Sequence, residues 1–289
     1  METDDELNRT FNLRFGVDYP GWSLTDYIVN HIQRSTCRIF TDTPLNQGLL
    51  DALVVAAQSA PTSGMLQTYS IIAITDKEQL AKFYSTPMFA NILGLTSDPP
   101  NTNALKTCSV FLIWVADLHR LDKLLQEIKV EDPDISDEII DQVHTAEYQL
   151  KAIIDTTIAA QSFVMCAESM GLGTMYCGWL RQFPIEYLEQ EFNLPKLTFP
   201  LFGMCVGYPA QERSIRPRYD TNTILHKEKY KDFNGFDDIQ NYMYRYNRTG
   251  FHRRDSQRTF KMTIVDRLGV EKSKKWIGSA LKYMGFKFK

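Results

Sequence analysis

The sequence predicts a layered α/β or α+β sandwich. Helical stripes alternate with short apolar strands between residues 46 and 206, and glycines and prolines punctuate the joins. Leu49, Leu50, Leu53, Ala56, Ala57 and Ala60 share one helical stripe over residues 46–60, and Pro61-Thr-Ser-Gly64 ends that helix in a small-residue loop. Ser70-Ile-Ile-Ala-Ile74 reads as a buried strand. Residues 109–116 form a second strand, continuously apolar and therefore covered on both faces. Residues 147–170 form a long helix with Ile153, Ile154, Thr157, Ile158, Gln161 and Met165 at helical spacing, stopped by Gly171 and Gly173. Thr174 to Leu180 is a third strand and Phe199 to Val206 a fourth. Pro184 opens a short helix that runs to Phe192. Thr25–Ile32 is a further helix, and the last 70 residues are predicted helical.

The 289 residues allow one large domain or two small ones, and 44% hydrophobic against 23% charged residues excludes wholesale disorder. The longest apolar run, residues 110–116, is far short of the ~20 residues of a membrane span. The acidic start lacks the pattern of a secretory leader. Five scattered cysteines, Cys37, Cys108, Cys166, Cys177 and Cys205, show no metal-site spacing and read as reduced thiols. The expectation is a cytoplasmic protein with no membrane and no metal.

The net charge of -3 hides an asymmetry: residues 221–289 hold 16 Lys and Arg against 7 Asp and Glu, a net +9. Such a segment invites an anionic partner, nucleic acid or a phosphorylated small molecule, or is a solvated helical tail. Asp117 to Glu147 is the acidic counterpart, with ten carboxylates and three basic residues. Those carboxylates have no apolar neighbours in sequence to shift a pKa, so they carry little catalytic weight.

Three segments point beyond packing. In the first, Arg34 and Arg38 flank the hydroxyls of Ser35 and Thr36, a set suited to gripping a phosphate. In the second, Ala60 to Gln67 offers small residues for a flat ligand and an amide, Gln67, for a ring edge. The third, Gly171 to Arg181, lacks the third glycine of a dinucleotide fingerprint, but Gly178 inside a predicted strand marks a close backbone approach.

Together these segments resemble the nitroreductase family, in its FMN-dependent, oxygen-insensitive NADPH nitroreductase and NADPH–flavin oxidoreductase branch. The runs that carry the resemblance are residues 66–72, 167–173, 199–203 and Arg216-Pro-Arg218. It covers roughly residues 25–260, and residues 85–150 match in patches only. It implies an α+β fold, a central mainly antiparallel sheet flanked by helices, with a helical C-terminal extension, assembled as a homodimer. The implied division is an N-terminal arm (1–24), an FMN-binding core (25–219) and a basic extension (220–289) with a loop for NADPH.

By the same resemblance, Arg34, Ser35, Thr36 and Arg38 match a phosphate and ring-edge motif. Ser35 stands in place of its second basic residue and Thr36 in place of its serine. Arg38 matches a cation beside the flavin pyrimidine ring. Thr62, Ser63, Met65 and Gln67 match the loop that holds the ring and ribityl chain. Tyr176, Cys177, Gly178 and Trp179 match a Tyr-Ile-Gly-Gly motif whose first glycine faces flavin N5. Trp179, in place of the second glycine, either narrows the substrate pocket or turns outward. Arg216 and Arg218 match a pair that reaches the FMN phosphate, and Arg248 and Arg253 a pair that binds the NADPH 2′-phosphate. No catalytic side chain is needed, because the flavin supplies the chemistry.

The implied activity passes two electrons from NADPH to nitroaromatics, quinones, azo compounds or free flavin by a ping-pong hydride mechanism. Two other classes stay open: a flavin-binding sensor or store without turnover, and a nucleic-acid-binding protein using the basic tail. Against the last, the tail interleaves its cations with Asp and Glu, so no nucleic acid is expected. Cys177 reads as a small apolar filler, His252 as a packing residue, and Met65, Met165 and Met170 as core more than site.

Overall fold

The computed structural model describes residues 4–93, 100–212, 214–248, 259–269 and 277–287. Among them four strands form one antiparallel sheet: β1 (Tyr69–Ile74), β2 (Val110–Asp117), β3 (Gly173–Cys177) and β4 (Thr198–Gly207), in the order β1-β2-β4-β3. The chain divides into two compact units, Met1–Ser35 with Arg213–Lys272, and Thr36–Glu212 with Ser273–Lys289.

The second unit holds the sheet. All of β2 is buried. Side chains alternate along a strand, so Phe111, Ile113 and Val115 enter one core cluster while Val110, Leu112 and Trp114 enter the other. A continuous apolar run therefore marks the centre of an antiparallel sheet covered on both faces. The helices Gln47–Gln58 and Ala146–Ser169 cover one face, with Leu50, Leu53, Ala57, Ala159, Ala160 and Phe163 in the core. An aromatic cluster covers the other, with Phe83, Phe89, Phe111, Trp179 and Phe183 in contact.

The long helix, Ala146–Ser169, has the length and composition of a membrane-crossing helix. It is here the core helix of the unit, and its buried face includes Gln149, Asp155 and Glu168. That face is small and partly polar, with Ala152, Thr156, Ala159 and Ala160, which lets the helix lie close to the sheet. Of the sequence stripe, Ile154 and Ile158 fall on the other side and are exposed, as is Leu150, while Ile153 packs half-buried against the core.

β3 stops earlier than its sequence suggests. Gly178–Gln182 is a 3₁₀ turn, because the pairing with β4 ends at Cys177 opposite Gly203. Short helices at Lys77–Tyr84, Pro87–Leu93, Pro100–Thr107 and His119–Glu131 occupy the stretch without a clear pattern in sequence.

The first unit is helical among its described residues. In the helix Asp4–Phe15, Phe11 packs on Phe15, Tyr19 and Trp22. Asp26–Ile32 follows, with Thr25 accepting a hydrogen bond from the Ile28 N–H as its cap. The helices Gln240–Arg248 and Phe260–Gly269 meet through Tyr242, Tyr246 and Phe260, beside Tyr219. The predicted helical tail is thus broken: residues 225–236 are irregular apart from a few bends and turns.

Candidate active site

In the second unit, the segment between the helix Gln47–Gln58 and β1 is strained. Gly64, Met65 and Gln67 have φ of 60°, 58° and 52°. A left-handed conformation costs a non-glycine residue about 1–3 kcal/mol and persists only where the surroundings enforce it. The enforcement comes from Asp155 on the core helix, which is 1% exposed. Its Oδ1 accepts from the Ser63 N–H at 2.9 Å and its Oδ2 from the Thr68 hydroxyl at 2.8 Å. Thr62 Oγ1 accepts from the Gln67 N–H at 3.3 Å, and Arg120 donates to the carbonyls of Gln67, at 2.9 Å, and Tyr69. Asp117 ion-pairs with Arg120 at 3.5 Å and accepts from the Ser70 hydroxyl at 2.5 Å. The outcome is a loop fixed from below that presents Met65, Leu66 and Gln67 outward, Met65 with 83% of its surface exposed. Met170 is exposed as well, so Met65 and Met170 are not core residues.

Asp155 was not legible in sequence, where it sits among isoleucines and threonines of a long helix. A carboxylate flanked by isoleucines and threonines in mid-helix was the available signal.

Thr36 and Arg38 lie in a segment joined to β3, where the Cys37 N–H donates to the Thr174 carbonyl at 3.0 Å. The Arg38 N–H donates to Gln211 Oε1 at 2.9 Å. Gly173 is required by this contact, because a Cβ there would lie 2.7 Å from the Cβ of Cys37.

At the end of β3, Tyr176 is exposed, its hydroxyl 3.2 Å from Gln161 Oε1 and its ring edge-on to Phe202. Cys177 is buried as a filler, yet its Sγ lies 3.9 Å from Cys205 Sγ, a neighbour supplied by the pairing of β3 with β4. All five cysteines are free thiols. Gly178 is not in a strand interior. It is exposed at the start of the 3₁₀ turn, and a Cβ would meet only the Arg181 guanidinium, at 3.5 Å.

Trp179 neither narrows a pocket nor turns outward. It is buried, stacked parallel to Phe111 at 6.0 Å and edge-on to Phe89 at 5.1 Å, so the aromatic core absorbs the indole.

In the first unit, Ser35 Oγ accepts from the Ser214 N–H at 3.2 Å. Arg14 donates through Nη2 to the Arg34 carbonyl at 2.5 Å, and the Arg14 carbonyl accepts from the Arg218 N–H at 2.8 Å. The Arg218 guanidinium donates to the Pro217 carbonyl at 3.0 Å. Burial, and then the charges of Arg218 and Arg34, push Arg14 down to about 10. Burial, and then Arg34 and Arg14, also lower His31. The unit therefore gathers Arg34, Ser35 and Arg218 around a cation that the sequence had not singled out. Arg248, at the end of the helix Gln240–Arg248, donates to the Tyr244 hydroxyl and lies over its ring. Arg253 and His252 lie outside the described residues.

Residues 32–208 match the Nitroreductase family. A chromium(VI) reductase of Pseudomonas sp. (strain G-1) is 34% identical over 196 residues, 68% of this chain and 72% of that protein. An FMN reductase (NADPH) of Bacillus subtilis (strain 168) is 30% identical over 222 residues, 77% of this chain and 79% of that protein. The solved structure of the hypothetical oxidoreductase YcnD from Bacillus subtilis superposes with a TM-score of 0.78 at 27% identity, covering 92% of this chain and 100% of that one. The chain belongs to the nitroreductase family, as its motif runs imply.

Proposed function

We propose that this protein is an FMN-dependent oxidoreductase that takes two electrons from NADPH and passes them to nitroaromatics, quinones, azo compounds or free flavin. Family membership and the FMN- and NADPH-named relative support the reading. The observation that carries it furthest is the loop of residues 62–67. Two of its non-glycine residues hold left-handed conformations, its side chains at Met65, Leu66 and Gln67 are exposed, and a buried carboxylate holds it. Strain kept up by surrounding structure is the mark of a preorganised ligand clamp.

The donor sets fit the cofactor. Arg34, Ser35, Arg216 and Arg218 supply guanidinium and hydroxyl groups for the phosphate, as Thr36 and Arg38 do for the ring edge and phosphate. Thr62, Ser63, Met65 and Gln67 hold the ring and ribityl chain. Gly178 stands exposed beside Tyr176 and Cys177, with no packing or positive φ of its own to require a glycine. Bound FMN supplies a ring that accepts hydride from NADPH and returns two electrons to the second substrate. The protein positions that ring, offers a flat apolar approach and places cations at its edge. Arg248 and Arg253 hold the 2′-phosphate of NADPH.

The working form is a homodimer. Leu150, Ile154 and Ile158 repeat every four residues on the outer face of the core helix, and Val55 is exposed on its neighbour. A second copy covers that face better than water does. The free thiols accord with a reducing, cytoplasmic setting.

Steady-state oxidation of NADPH with a quinone or a nitroaromatic as acceptor tests the activity. Parallel double-reciprocal lines are expected, since one substrate leaves before the next enters. Flavin binding with no acceptor-dependent NADPH oxidation would replace this reading with the sensor or store.

A further inference from the structure

A second strained backbone position lies in the second unit, away from the loop of residues 62–67. Leu197, just before β4, is 4% exposed and has φ of 63°. A bulky side chain is rare in that region, so a leucine stays there only where its surroundings enforce it. Two hydrogen bonds do so. The Leu197 N–H donates to the Met284 carbonyl at 2.6 Å, and its carbonyl accepts from the Leu118 N–H at 2.9 Å.

The first bond comes from the turn that follows the helix Ile277–Tyr283. Met284 and Phe286 are buried there. Gly285, at φ 97°, makes the turn, and a Cβ on it would stand 3.5 Å from the Leu197 side chain. Polar bonds hold the rim. The Tyr283 hydroxyl donates to Glu189 Oε2 at 2.6 Å, and Lys196 donates to Glu189 Oε1 at 2.7 Å. The Lys287 N–H donates to the His144 carbonyl at 3.0 Å, and its ammonium pairs with Asp141 at 3.1 Å.

The second bond leads to the strained loop. Leu118 follows Asp117, a carboxylate 6% exposed that accepts from the His119 N–H at 3.0 Å and holds both Arg120 and the Ser70 hydroxyl. The Asp117 N–H donates to the Thr68 carbonyl at 2.9 Å, and Arg120 donates to the carbonyls of Gln67 and Tyr69. Leu197 therefore has two arrangements. It is left-handed while Met284 supplies an acceptor. Without that acceptor the ordinary extended region is favoured, and its carbonyl turns from Leu118. Docking of residues 283–287 selects the first arrangement, the one that seats Asp117 and Arg120 under the loop.

We propose that residues 283–287 are a positioning element for the loop of residues 62–67, acting through Leu197 and the Asp117–Arg120 pair. The element touches no ligand. Its ligand rests on the FMN reading above, whereas its coupling to the loop does not.

The test uses the full chain carrying Gly285→Ala or Tyr283→Phe. The first places a Cβ at a left-handed position and deletes no buried side chain. The second removes one hydroxyl at the rim. Amide hydrogen exchange of the ligand-free chain, read by mass spectrometry over residues 62–70, reports the loop. Fluorescence titration with FMN and with riboflavin reports the site. Gly285→Ala is expected to speed exchange over residues 62–70 and to raise the Kd of both flavins about three- to tenfold. Tyr283→Phe is expected to act in the same direction and less. A lowered melting temperature with wild-type exchange in the loop and wild-type flavin affinity would reduce residues 283–287 to a structural staple and overturn the proposal. If Gly285→Ala does not fold, Tyr283→Phe combined with Lys287→Ala decides, and unchanged loop exchange in that variant overturns the proposal. Faster loop exchange in the variants of a chain that binds neither flavin would sink the FMN reading and leave the coupling standing.

Discussion

Asp155→Asn removes one negative charge from beneath the loop of residues 62–67 and little else. The carboxylate now accepts from the Ser63 N–H and from the Thr68 hydroxyl. An asparagine keeps one acceptor oxygen and turns an NH2 group toward the second donor. The Thr68 hydroxyl can turn to accept from that NH2, so both charge-assisted bonds become neutral, a loss of about 1.5–3 kcal/mol in all. Opposing it, Met65 and Gln67 hold left-handed conformations at about 1–3 kcal/mol each. The two sums are close, so a loss of about 2 kcal/mol is enough to release the loop. A binding-competent loop that is only fractionally populated raises the apparent Kd by that fraction. The expected rise is about tenfold or more, for FMN and riboflavin alike, because the role proposed for the loop is to hold the ring and not the phosphate. Fluorescence titration reads the affinities, and thermal melting with and without FMN reads the stability. Thr68→Val, which removes one donor, should give a smaller effect in the same direction. An unchanged flavin Kd in D155N, with an unchanged melting temperature, would refute the coupling between the buried carboxylate and the loop.

Trp179→Gly should lose about 3–5 kcal/mol of stability in denaturant unfolding, the usual cost of deleting a buried indole, and should leave the ranking of acceptors unchanged. Replacing Arg248 and Arg253 together with Ala should raise the KM for NADPH by about 1.5–3 kcal/mol per lost contact and spare NADH, read by steady-state kinetics with both nucleotides. Equal losses for the two would remove the 2′-phosphate assignment. If the proposed dimer forms through this face, Ile154→Lys, at a position already 43% exposed, should abolish it in light scattering without unfolding the chain. His31 has a lowered pKa from burial and from Arg34 and Arg14, so the unfolded chain binds its proton more readily. Stability is then lost as pH falls below the ordinary histidine range, and His31→Gln should flatten the melting temperature between about pH 5 and 7.

The strands were legible because burial on both faces of β2 needs an uninterrupted apolar run, and because Gly171 and Pro184 mark boundaries that any fold would respect. The end of β3 was not, since a sequence shows no partner strand and Cys177–Gly178 looks like any other strand dipeptide. The stripe on the long helix was visible but pointed away from the core. Close packing of a helix on a sheet favours Ala and Thr, which leaves Ile154 and Ile158 outside. At the site, motif positions were readable where the residue type itself carries the chemistry, as at Arg34, Arg218 and Gln67. Asp155 and Arg14 were hidden for the opposite reason: their role lies in what they are placed beside, 92 and 20 residues away in the chain. Trp179 reads in sequence as a pocket wall or an outward-turned side chain, because the aromatic core that takes the indole is assembled from residues distant in the chain.

The visible spectrum of the purified protein, recorded before and after anaerobic addition of NADPH, tests the central claim most directly. A flavin absorbance that bleaches with NADPH, and more slowly with NADH, is the expected result. A protein that shows no flavin absorbance even after FMN is added, or a bound flavin that NADPH leaves yellow, contradicts it.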